Sequence, residues 1–176
     1  MPIAINGSGT VTGISVGGLP DGIVDRDTLA AQAKGSILQV VQAFKDDVFS
    51  TTSNSFVDIT GLSASITPSS SSSKILVGTH LYVSTVNNVI KLNLVRGSTN
   101  IAQPSGSSNN ATMHQYESSL NMATASMTFL DSPSTTSATT YKVMVSGTTG
   151  IQVVINEYTG SSYLGVSTLT LMEVAA

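Results

Sequence analysis

The sequence predicts an all-β, antiparallel sandwich or barrel, and three observations predict it. Apolar residues fall at every second position in long runs, as in Lys74-Ile75-Leu76-Val77-Gly78-Thr79-His80-Leu81-Tyr82-Val83-Ser84-Thr85 and Thr139-Thr140-Tyr141-Lys142-Val143-Met144-Val145. Period two is the repeat of a half-buried strand. Such segments recur along the chain at near-regular spacing with turn residues between them, the pattern of a sandwich or barrel. The positions between the apolar residues carry hydroxyls rather than charges. Serine and threonine exceed a quarter of the chain and only 10% of residues are charged, against roughly 25% in ordinary soluble domains.

Two regions follow from composition. Residues 1–36 are rich in glycine, with isolated Val11, Ile14, Val16 and Leu19 between small residues. Such a segment cannot close a core and reads as an extended arm that borrows packing from another surface. Within it, Asp27-Thr28 caps a short helix over residues 29–34, and Gly35 stops it. Residues 37–176 are the β body, and 176 residues suffice for one domain with a core.

Strands are expected over 37–44, continuing at 48–50 after the polar Lys45-Asp46-Asp47, then over 56–60 and, past Gly61, over 62–67. The run Pro68-Ser69-Ser70-Ser71-Ser72-Ser73 is a loop. Residues 74–85 and 89–96 are the clearest pair, and Val86-Asn87-Asn88 reads as a hairpin turn between them. Arg96-Gly97-Ser98-Thr99-Asn100 turns into Ile101-Ala102. A polar loop over 103–110 precedes a short strand at 112–116. Strands over 120–130, 141–146, 151–158 and 164–174 complete the body. In the 74–85 strand, Ile75, Val77, Leu81 and Val83 point one way, and Leu76, His80 and Tyr82 the other. The second set either faces more of its own chain or lines a subunit interface.

Several function classes find no support in the sequence. A net charge of −3 gives no basic stripe for nucleic acid, and no cysteine means no thiolate chemistry. No apolar run approaches the roughly 18 residues of a membrane-spanning helix, and the start, Met1-Pro2-Ile3-Ala4-Ile5, has no signal-peptide character. The two histidines, His80 and His114, show no triad spacing. The carboxylate pairs Asp25/Asp27 and Asp46/Asp47 match no metal-loop spacing. We therefore expect neither an enzyme nor a cofactor or metal site. The loop at 103–110, with Asn109, Asn110 and nearby Tyr116, has the amide and aromatic groups that sugars use.

The body resembles the trimeric jelly-roll superfamily of the tumour-necrosis-factor and C1q type. The resemblance is carried by His80-Leu81-Tyr82-Val83-Ser84, by the strand–turn–strand unit Val89 to Ala102, and by Ser167-Thr168-Leu169-Thr170-Leu171-Met172-Glu173-Val174. A second resemblance is to virion-surface and fibre proteins of tailed phages, of marine and cyanobacterial phages in particular. Gly17-Gly18-Leu19-Pro20-Asp21-Gly22-Ile23-Val24, Gly35-Ser36-Ile37-Leu38-Gln39-Val40-Val41-Gln42, Phe56-Val57-Asp58-Ile59-Thr60-Gly61-Leu62 and Phe129-Leu130-Asp131-Ser132-Pro133 carry it. These resemblances imply a homotrimeric jelly-roll head with an N-terminal arm, made in a host cytoplasm and placed on a virion surface. The implied function is capsid decoration or cement, with a short tail fibre or head fibre that binds host glycan as the alternative. The implied partners are two further copies of the chain and the major capsid protein or other virion proteins, with no nucleic acid or membrane. Leu76, His80 and Tyr82 would then line the trimer interface, and Val11, Ile14, Val16 and Leu19 the virion anchor.

Overall fold

The computed structural model describes residues 37–106, 110–117, 121–159 and 161–175. The expected helix and the anchor residues Val11, Ile14, Val16 and Leu19 lie outside the described residues, as does Asn109. The described residues form eleven strands: β1 (Ile37–Lys45), β2 (Phe49–Thr51), β3 (Val57–Ile66), β4 (Lys74–Thr85), β5 (Asn88–Arg96), β6 (Thr99–Ile101), β7 (Met113–Glu117), β8 (Asn121–Asp131), β9 (Thr139–Ser146), β10 (Val153–Ile155) and β11 (Ser167–Val174).

The strands lie in two antiparallel sheets. The first runs β1-β11-β4-β8, with the short β10 and β2 continuing past the upper half of β4. The second runs β3-β9-β5, with β7 and β6 sharing the far side of β5. The chain crosses repeatedly between sheets, and the order is that of a jelly roll. Alternation decides which side chains enter. Ile75, Val77, Leu81 and Val83 of β4 join Leu169 and Leu171 of β11, and meet Ile90, Leu92, Leu94, Val143 and Val145 of the opposite sheet. All are buried.

Three local readings change. Residues 86–88 do not close a hairpin: β4 pairs with β8, β11 and β10, whereas β5 lies in the other sheet. The Asn88 Oδ1 instead accepts from its neighbour's Val89 N–H at 2.7 Å and from Thr148 Oγ1 at 2.7 Å, tying the crossing to the β9–β10 loop. Gly61 does not separate two strands but sits at φ +84° in a bulge of one strand. Residues 151–158 yield only three strand residues, because Asn156 takes φ +69° and turns the chain.

Several polar groups inside the sandwich are bonded into its ends. Asp131, at the end of β8, accepts from Arg96 Nη1 at 2.9 and 2.8 Å and from Tyr141 Oη at 2.7 Å. Lys45 is fully buried at the end of β1 and its Nζ reaches Asp47 at 2.7 Å. Asn156 donates to the Lys45 and Asp47 carbonyls at 2.8 and 3.1 Å, and accepts from Ser167 Oγ.

Glu173 is buried beneath the 68–73 loop. Ser69 N and Oγ donate to it at 2.7 and 2.6 Å, and Gln39 Nε2 at 2.6 Å. Burial alone would raise its carboxyl, but the bonds from Ser69, Gln39 and Ser73 hold it at about 2, against an ordinary 4.5. Between these values the unfolded chain binds more protons than the native one, so stability falls as pH falls through this window. Glu173→Gln is expected to flatten the acid limb of a Tm–pH curve between pH 4.5 and 2. An unchanged acid limb would assign the acid sensitivity to other groups.

Candidate interface on the outer face of the first sheet

The second residue set of β4 stands on the outer face of the first sheet, and the register builds cross-strand rows around it. Val40, Met172, Leu76 and Leu130 form one row across β1, β11, β4 and β8. Gln42, Thr170, Gly78 and Thr128 form the next, and Phe44, Thr168, His80 and Ser126 the third. Beyond them lie Tyr82 and Thr124. No charged residue occurs in these rows. Lys74 is the charge at the end of this face, and its Nζ donates to Ser132 Oγ at 2.7 Å.

The face is apolar at its margins and hydroxyl-lined through the middle. Val40, Phe44 and Leu130 are 56%, 57% and 52% exposed. Side chains that large lose favourable burial by facing water, which makes this face a candidate contact surface. Among the hydroxyls, Gln42 Nε2 donates to Thr170 Oγ1 at 2.8 Å, and His80 Nδ1 lies 2.9 Å from Ser126 Oγ. The second sheet differs. Its outer face carries the Asp58–Lys142 ion pair at 2.7 Å and Lys91, and its Asn93 and Val95 are covered. Gln103 and Thr112 bond Asn93 Oδ1 there, at 2.8 and 3.2 Å.

Tyr82 is fixed more closely than its neighbours. Its ring stands edge-on to His80, centroids 5.3 Å apart, and lies over Gly165, where a Cβ would meet ring atoms at 2.7 and 2.9 Å. Only glycine admits the ring there. The Tyr82 carbonyl accepts from Asn156 N at 3.0 Å, and Ser167 Oγ accepts from Tyr82 N at 3.2 Å. The next segment carries a tyrosine pair that sequence reasoning missed. Tyr158 and Tyr163 are edge-on at 6.4 Å, and Tyr163, Leu164 and Val166 are exposed. Thr159 binds Ser84 Oγ through its N and Oγ1, so this segment extends the same side of the molecule. Its signal in the sequence was the Tyr-Thr-Gly-Ser-Ser-Tyr composition of 158–163.

Of the expected ligand residues, Asn109 lies outside the described residues. Asn110 Nδ2 donates to the Pro104 carbonyl at 2.8 Å. Tyr116 is 61% exposed on β7, paired in register with Val89. The His80–Ser126 pair has no carboxylate among its row neighbours to orient the imidazole as a triad requires. Gly13-Ile14-Ser15-Val16-Gly17 has the spacing of a nucleophile elbow and lies outside the described residues. Among the described residues no three His, Asp or Glu side chains gather as metal ligands, and no helix is long and apolar enough to cross a membrane.

No protein-family model and no curated protein matches the chain. Solved structures of infectious bursal disease virus are similar to it. The Gt and Gx strain structures align at 15% identity over 78% of this chain, with TM-scores of 0.43 and 0.42. The crystal structure of the VP2 subviral particle aligns at 15% identity over 78%, with a TM-score of 0.39. The chain spans 38%, 36% and 37% of the length of those three chains.

Proposed function

We propose that this chain is a structural virion protein of a bacteriophage, a homotrimeric decoration or cement protein whose jelly-roll head self-associates and whose arm, residues 1–36, joins it to capsid or other virion proteins. The observation that carries the reading is the uncharged four-strand face. Three of its large apolar side chains are about half exposed, and its remaining groups are mostly hydroxyls that pair as readily with another chain as with water. The reading is also supported by the resemblance of the sequence to phage virion-surface proteins and to trimeric jelly rolls. The role is adhesive and involves no catalysis. Each arm adds a moderate contact, and linking three of them multiplies attachment through effective concentration.

The test has two readouts. Light scattering should give three times the mass of one chain. A variant lacking residues 1–36 should keep that mass yet fail to occupy particles, as judged by cryo-EM density on the parent virion. A single-chain mass would overturn the trimer, and full occupancy by the truncated head would overturn the arm.

A further inference from the structure

On the far side of the sandwich, the outer face of the second sheet opens into a cleft of about 470 Å³ lined by Asp58, Thr60, Gly61, Ser63, Thr140 and Lys142, with Ile59 at its base. A break in the β3–β9 ladder makes it. Asp58 pairs with Met144 and Ser63 with Lys142, so β3 advances five residues while β9 advances two. No β3–β9 pairing falls between them, and the extra backbone forms a bow. The crown of the bow is Gly61, at φ +84°, a conformation that costs a side-chain-bearing residue. On its Cβ side the buried Lys45 stem and the exposed Asp47 carboxylate lie 3.9 and 4.0 Å from where a Cβ would stand, so both back the bow. Bulges of this kind re-aim groups and cluster beside functional sites.

The lining chemistry selects the ligand. One carboxylate and one ammonium, 2.7 Å apart, cancel in charge, so the cleft favours neither an anion nor a cation. Around them stand three hydroxyls, of Thr60, Ser63 and Thr140, of which Thr140 also meets Ser65 Oγ at 2.7 Å. Asp58 is half exposed and retains lone pairs for further donors. The cleft falls within the size range of small-ligand sites. We propose that it binds a neutral saccharide, with Asp58 accepting from adjacent sugar hydroxyls, Lys142 donating to one, and the bow of β3 holding the ring. Its position opposite the uncharged face leaves it open in an assembly built on that face. The inference stands whether or not the chain trimerises.

Saturation-transfer NMR on the full chain tests it, with the methyl pyranosides of glucose, galactose and mannose as probes. At least one should receive transfer at millimolar concentration. Asp58→Ala and Lys142→Ala should each weaken binding by about tenfold or more, the loss of one charged hydrogen-bond partner. Thr140→Val, a smaller change, should weaken it less, and all three should keep the wild-type amide spectrum. Asn110→Ala combined with Tyr116→Ala should bind as wild type does. No transfer from any probe, or unchanged binding by Asp58→Ala and Lys142→Ala, would overturn the site. So would a loss confined to the Asn110/Tyr116 variant, which would place sugar binding at the other loop.

Discussion

Asp131→Ala is expected to destabilise the head by about 3 kcal/mol, the cost of leaving the buried Tyr141 phenol and the partly exposed Arg96 without their shared acceptor. Asp131 is 6% exposed and closes one end of the sandwich. It belongs to β8 of the first sheet, while both its partners, Arg96 of β5 and Tyr141 of β9, belong to the second. Removal strands two groups at once. The Tyr141 phenol is fully buried and loses its acceptor. Arg96 keeps only its weaker 3.2 Å bond to the Ser132 carbonyl. In the native state burial, and then the bond to Asp131, push the Tyr141 phenol well above its ordinary value of 10.0. This contribution is therefore complete below about pH 10 and declines only above it. Tyr141→Phe removes the hydroxyl together with its need for a partner and should cost only about 1 kcal/mol. Thermal unfolding should resolve the two variants, since for a body of this size 3 kcal/mol moves Tm by roughly 10 °C. An Asp131→Ala variant within 1 kcal/mol of wild type would show that water or a rearranged Arg96 replaces the carboxylate.

The sequence reveals β4 most clearly because every second residue from Ile75 to Val83 is large enough to register, except Thr79. It reveals β8 poorly because two of its inward residues are Ala123 and Ala125, which fill the core without marking a period. Asn93 and Val95 defy alternation for another reason. They are outward positions that are nonetheless buried, with Gln103 and Thr112 bonded to Asn93, which no local pattern announces. Asn87-Asn88 carries hairpin chemistry but serves a crossing between sheets, since turn residues report a change of direction and not the partner on the other side. The Asp131–Arg96 pair spans 35 positions, and the saccharide cleft depends on how much of β3 is left over against β9. Both are consequences of register, which a single sequence does not display.

The two outer faces differ in charge. The second sheet carries the Asp58–Lys142 pair and Lys91, and is partly covered by its own loop. The first has its charge only at one end. Low overall charge is thus not spread evenly over the surface but concentrated on one side, where a second copy of the chain can meet it without desolvating an ion.

Tyr82→Lys tests that division with the largest expected effect on association. The ring lies on the outer face, so its loss removes contacts with Gly165 and His80 but opens no core cavity. The monomer should lose about 1 kcal/mol, the worth of an aromatic contact. In an assembly closed over this face the new ammonium would be taken out of water with no carboxylate in the rows to meet it. Desolvation of an unpaired ion costs several kcal/mol, and each 1.4 kcal/mol is a factor of ten. Association should therefore weaken by about a thousandfold or more, and light scattering should show the mass of one folded chain. Leu76→Lys, in the all-apolar row, should act the same way. His114→Lys, on exposed β7 of the other sheet, should leave the mass unchanged. A Tyr82→Lys protein that keeps three-chain mass while Leu76→Lys loses it would move the contact toward the Val40–Leu130 row. If both keep it, the uncharged face is not where the chains meet, and the exposed Tyr163, Leu164 and Val166 segment becomes the surface to test.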